Sequence, residues 1–156
     1  MKKVIFTLFL TVFFVVSANS QDYETSLGLR AGVPYGATIK HFLDKYDALE
    51  GIVAARYQGL IITGLWERER WTGHYPGLNW YWGAGAHVGF WNEGTNPNIE
   101  KTYNGAVFGV DGVVGLEYTF DDFPLNLSLD ILPTVNLFGS TGWGGINGAL
   151  SIRYVF

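Results

Sequence analysis

The chain has 156 residues, a formal net charge of −4, no cysteine, 21 glycines and 17% aromatic residues. Only 15% of its residues are charged, against about 25% in a soluble domain. The acidic balance argues against a nucleic-acid partner, and the lack of cysteine excludes disulfides and an acylated lipoprotein cysteine.

Lys2 and Lys3 precede an apolar run from Val4 to Val16, with small residues at Ala18 and Ser20. This is the pattern of a secretory signal peptide over 1–20, cut before Gln21. The run is too short for a spanning helix, which needs about 20 apolar residues. The expected mature chain, 21–156, has 156 − 20 = 136 residues, and loss of the two lysines takes its net charge to 8 − 14 = −6. That length makes one domain. No later run could span as a helix, so export, glycine, aromatics and low charge point to a membrane β-barrel.

Alternation of period two then defines the strands. From Tyr23 to Gly32, Thr25, Leu27, Leu29 and Ala31 face out, and Glu24, Ser26, Gly28 and Arg30 face in. After a turn at 33–36, Ala37 to Leu43 sets Ile39 and His41 out, and Thr38, Lys40 and Phe42 in. Ala48 to Tyr57 places Glu50, Ile52, Ala54 and Arg56 inside. Gln58-Gly59 reads as a tight hairpin in which glycine supplies a positive φ. Leu60 to Arg70 sets Trp66 out and Thr63 and Glu67 in, with Arg68 as the one outward cation, at a strand end where it can snorkel.

Leu78 to Asn92 puts Trp80, Trp82, Val88 and Phe90 out, and Tyr81, His87 and the glycines 83, 85 and 89 in. The stretch Glu93 to Gly105 is the longest polar loop. Ala106 to Phe120 turns Asp111 and Glu117 inward, and Leu125 to Phe138 does the same with Asn126, Ser128 and Asp130. Pro133 interrupts that strand and marks a bulge, because proline cannot donate to the ladder. Gly139 to Gly145 reads as a connection, and Ile146 to Phe156 closes the set. The count is eight, 136/8 = 17 residues per strand and connection. That suits a closed, antiparallel, up-and-down transmembrane barrel with strands of about 9–11 residues.

The inward face collects a lumen charge network: Glu24, Arg30, Lys40, Glu50, Arg56, Glu67, His87, Asp111, Glu117, Asp130 and Arg153. No acid falls on the outward face of a strand. Lipid explains this, since a cation at mid-bilayer on that face costs about 2–4 kcal/mol. A soluble sandwich or lipocalin-like barrel also alternates, but it would show many charges on its exposed face. If both termini are periplasmic, Trp66, Trp80, Trp82, Tyr118, Phe120, Tyr154 and Phe156 gather at that rim, and Tyr57, Phe90 and Trp143 lie toward the other.

At its end the chain resembles the assembly signal of bacterial outer-membrane proteins: Phe156, with Tyr154, Ile152 and Leu150 at alternate positions behind it. Together with G-L-N-W-Y-W-G-A-G-A-H-V-G-F at 77–90 and G-V-V-G-L-E-Y-T-F-D-D-F-P-L-N-L-S-L-D at 112–130, this makes 21–156 similar to small outer-membrane barrels of Bacteroidetes, with an OmpA/OmpX-type architecture. The resemblance implies insertion by the barrel-assembly machinery, a Gram-negative outer membrane, and lipid and lipopolysaccharide as neighbours.

No catalytic, cofactor or metal motif emerges. Eight strands leave a lumen just wide enough for side chains, so the inward charges read as a structural ion-pair plug rather than a carboxylate catalytic pair. Barrel-type lipid A deacylases use a His-x-Ser arrangement, but none of His41, His74 and His87 has Ser at the second position after it. Three scattered histidines make no metal site by spacing. Asn126-Leu127-Ser128 is a chance glycosylation match within a strand. The expectation is a monomeric, non-catalytic structural or surface-interaction barrel. A small passive, porin-like pore is the alternative, and a lipid-modifying enzyme built on His87 or an inward carboxylate is a second.

Overall fold

The computed structural model describes residues 24–56, 59–91, 105–139 and 141–156, the side chain of Arg56 excepted. The expected signal peptide, Tyr57 and most of the Glu93–Gly105 loop lie outside the described residues. Eight strands form one closed antiparallel barrel in sequence order. They are β1 (Thr25–Val33), β2 (Tyr35–Phe42), β3 (Asp47–Arg56), β4 (Gly59–Trp71), β5 (Leu78–Trp91), β6 (Gly105–Thr119), β7 (Leu125–Phe138) and β8 (Gly142–Val155). Closure is made by β8 against β1, in register from Ser26–Val155 to Val33–Gly148. Each strand therefore has a partner on both sides, and the sheet has no open edge.

The alternation read from sequence becomes two chemically distinct surfaces. Along β7, Leu125, Leu129, Ile131 and Val135 are exposed, whereas Asn126, Ser128, Asp130 and Thr134 are buried. The same inversion runs round the barrel: Leu29 is 73% exposed while Lys40, Glu67 and Asn126 are 0% exposed. A water-soluble fold rarely carries contiguous apolar surface beyond a few hundred Å². Here it runs right round the outer wall, and among the described residues charges stand only near the terminal end. Toward the terminal end of that wall, Trp66 and Trp82 meet edge to face at 5.9 Å, as do Tyr118 and Phe120 at 4.8 Å, and Tyr154 stacks on Phe156 at 6.3 Å. Phe108 and Phe138 lie 6.4 Å apart toward the opposite end.

Several boundaries differ from those expected. The β1–β2 connection shrinks to Pro34. Gly59 is already inside β4, paired with Arg56 and Trp91, and is not among the glycines with positive φ. It instead makes room for the Trp91 ring, which a Cβ there would approach to 2.6 Å. The 139–145 connection is mostly strand, since β8 starts at Gly142, opposite Asn136. The G-W-G-G run hid it by offering no alternation. Gly142 and Gly145 have φ of 135° and 105°, conformations that glycine adopts without strain. The irregularity expected at Pro133 is present beside it. β7 slips against β8 between Thr134 and Val135, and Leu132 and Pro133 have no register partner on β6.

Candidate functional site

The lumen is filled by side chains from all eight strands, in layers that follow their positions along the strands. Nearest the terminal end, Lys40 from β2 projects its ammonium among Glu67, Glu69 and Glu117. It lies 3.0 Å from Glu67 Oε2 and 2.8 Å from Glu117 Oε2, and it donates to Glu69 Oε1. The same ammonium sits 4.5 Å from the centre of the Tyr81 ring, a cation–π contact in a site without bulk water. Arg153 from β8 donates through Nη2 to Glu50 Oε1. Its Nη1 donates to Ser128 Oγ at 2.8 Å and to Asn126 Oδ1 at 3.2 Å. Thr38 Oγ1 adds a hydrogen bond to Glu50 Oε1.

One step further in, Arg30 forks onto Asp130: Nη1 donates to Oδ2 at 2.8 Å and Nη2 to Oδ1. This two-bond geometry is the strong form of a charge-assisted pair. The Tyr81 hydroxyl donates to the same Asp130 Oδ2 at 2.9 Å. Room for the Tyr81 ring comes from Gly115, where a Cβ would stand 2.6 Å from Tyr81 Cζ. Above this layer lies an apolar one of Ile52, Ala54, Leu65, Val113 and Leu132, all buried, with the Tyr81 ring at its edge. The lumen is thus polar, then apolar, rather than polar throughout.

A second polar group lies toward the far end. His87 Nδ1 is 2.9 Å from both oxygens of Asp111, and Nε2 is 3.1 Å from Asn136 Oδ1. An ionised carboxylate only accepts, so Nδ1 carries its proton toward Asp111. The other ring nitrogen, where a base would take a substrate proton, faces the Asn136 side-chain amide instead. His41 is on the outer face with Nδ1 2.9 Å from Thr25 Oγ1, and His74 lies in the 72–77 turn, so the three histidines do not converge.

Of the eleven residues expected in the network, Arg30, Lys40, Glu50, Glu67, Glu117, Asp130 and Arg153 meet in the first two layers, and His87 and Asp111 form the separate group. Glu24 does not join. It precedes β1 and is exposed, because the strand begins one residue after it. Arg56 has a described backbone in β3 but no described side chain. Glu69 was missed, although it is 5% exposed, bonds Lys40 and accepts from Asn79 Nδ2 at 3.3 Å. Its parity with Glu67 was a sufficient signal. Tyr81 read as inward, but its place at the centre of the network is a long-range fact.

The outer face also needs correction. Arg68 is accompanied by an acid: its Nε and Nη2 donate to Asp47 at 2.6 and 2.8 Å, and its guanidinium lies 5.6 Å from the Trp66 ring centre. Asp47 reads as a turn residue, yet it opens β3 opposite Arg68. Arg70, two positions on, is outward and exposed as well. Leu150, Ile152 and Phe156 are exposed, and Tyr154 is half-buried in the same outward row.

These features define a closed eight-stranded antiparallel barrel with a side-chain-filled lumen and an apolar outer wall. No protein-family model and no curated protein matches the chain. Among solved structures it is similar to the N-terminal β-barrel domain of OprF from Pseudomonas aeruginosa. The TM-score is 0.64 at 17% identity, with 87% of this chain and all of that one covered. The likeness is one of fold, that of a β-barrel domain.

Proposed function

We propose that the protein is a non-catalytic outer-membrane barrel of the Gram-negative envelope. In this reading its lumen is sealed by the ion-pair plug, and its interactions are made by the connections at the end opposite its termini. The observation that carries this is the inversion of polarity. Apolar side chains cover the outside, while the buried Arg30, Lys40 and Arg153 are each held by carboxylates inside. Only a solvent of lipid makes that arrangement stable. An even number of strands puts both termini at one end, beside the turns 43–46, 72–77 and 120–124, while the longest connection, 92–104, is at the other. The other three connections at that end, at 34, 57–58 and 139–141, are shorter than these turns, so the orientation rests on the one long loop: membrane barrels carry their longer loops outside, which supports periplasmic termini.

The same proposal includes the signal peptide over 1–20, membership among small Bacteroidetes barrels, and a monomeric state. It also includes recognition of Leu150, Ile152, Tyr154 and Phe156 by the assembly machinery, and outer-membrane lipid and lipopolysaccharide as surroundings. Two measurements test it. Folded protein should partition into vesicles and show heat-modifiable gel mobility. In planar bilayers it should show no steady conductance, because the guanidinium of Arg153 and the ammonium of Lys40 lie across the lumen; stable ohmic channels would establish the passive pore instead. A lipid-modifying activity is disfavoured by the Asn136 contact on His87. Identical lipid A profiles from wild type and His87→Ala would agree with that, and a difference would revive the enzyme reading.

A further inference from the structure

On the outer wall, Arg68 and Arg70 are the two described arginines, and they are neighbours on one side of β4. Their cross-strand partners on β5 are Trp82 and Trp80. Arg68 is engaged by Asp47. Arg70 is exposed and has no partner among the described residues. Lys45 lies in the 43–46 turn that leads into Asp47, and its ammonium is 5.8 Å from the Tyr46 ring centre. An arginine held at a bilayer surface between tryptophans, with no acid committed to it, is a receptor for an anionic oxygen group.

The wall beside Arg70 has a matching apolar feature. An open groove of about 600 Å³ starts at Trp80 and is lined by Leu116, Leu129, Gly148, Leu150 and Ala31. Those residues follow the register from β5 to β1: Trp80–Leu116, Leu116–Leu129, Leu129–Leu150 and Leu150–Ala31. Trp80 is two residues from the terminal end of β5, whereas Ala31 is two residues from the far end of β1. The groove therefore climbs across the wall as the strands shear. Four interstrand steps of about 4.8 Å make it roughly 19 Å long, comparable with one leaflet of a hydrocarbon core about 30 Å thick. Its dent is opened by Gly148, where a Cβ would have only Asp130 O nearby, at 3.8 Å.

We infer that this surface is a binding site for one anionic glycerophospholipid, its phosphate on Arg70 with Arg68 and Lys45 beside it, and an acyl chain along the groove from Trp80. The inference rests on the membrane reading above, and its choice of glycerophospholipid over lipid A rests on the terminal end facing the periplasmic leaflet.

The test uses the full mature chain, folded in detergent, with dioleoyl phosphatidylglycerol and dioleoyl phosphatidylcholine as probes and native mass spectrometry as the readout. Wild type should retain the anionic lipid about fivefold over the zwitterionic one for each uncommitted basic group. Arg70→Gln should lower the ratio about fivefold without weakening phosphatidylcholine. Gly148→Leu should lower retention of both lipids and leave their ratio alone. Equal retention by wild type, or an Arg70→Gln ratio like that of wild type, overturns the site. Lipid A outcompeting phosphatidylglycerol overturns the assigned occupant. Protein that does not partition into vesicles sinks the membrane reading together with this one, whereas protein that partitions but shows no lipid preference sinks the site alone.

Discussion

Arg30 and Asp130 are both at most 4% exposed and bond each other twice. Removing one partner leaves the other charge buried, which costs about 3–5 kcal/mol, whereas replacing both by apolar groups of similar size is close to neutral. Arg30→Met alone should therefore lower unfolding free energy in urea by that amount, and Arg30→Met with Asp130→Leu should recover part of it, the Tyr81 hydroxyl left without its Asp130 acceptor keeping about 1–3 kcal/mol of the loss. Loss of the same stability by the single and the double variant would mean the pair is not isolated from the rest of the plug. Glycines make a second contrast at this scale. A side chain at Gly115 must displace the Tyr81 ring, but one at Gly148 enters open space. Gly115→Leu should abolish heat-modifiable mobility, and Gly148→Leu should preserve it. Parity along a strand tells which way each glycine faces; only the folded barrel tells what stands in front of it.

The strands carry the next level of constraint. The middle of β7 presents Leu129, 60% exposed, and Ile131, 50% exposed, to the outside. Leu129→Arg should destabilise the protein in vesicles by about 2–4 kcal/mol if that face meets lipid; an unchanged urea midpoint would contradict the outward assignment. The connections obey a different rule, since they lie outside the ladder. Deletion of most of 95–103 should leave heat-modifiable mobility intact, and loss of the shift would count against the strand boundaries on either side. Strands β5, β6 and β7 were legible because every second residue keeps the same polarity over long runs. The start of β8 was not: Gly142, Gly144 and Gly145 have no side chains with which to alternate, and it is pairing with β7 that places Gly142 and Gly145 in the ladder, with Gly144 at the slip between them.

For the molecule as a whole, the sequence alone determined eight strands, the polarity of each face and the placement of charges on the inner one. Those properties are local: a period of two and the exclusion of acids from the middle of an outward row can be read without knowing any neighbour, whereas Asp47 at the start of β3 could not. The same rule could have added Glu69, which shares the parity of Glu67, and it wrongly admitted Glu24, because parity does not tell where a strand begins. The tertiary structure decided what meets what. Lys40 lies between β4 and β6 carboxylates, Tyr81 reaches Asp130 across the lumen, an apolar layer divides the charged plug from His87, and Trp80, the cross-strand partner of Arg70, lines a groove that crosses five strands. Contacts of that kind depend on barrel closure and shear, which fix the level of each strand against strands far from it in sequence. No single segment carries that information.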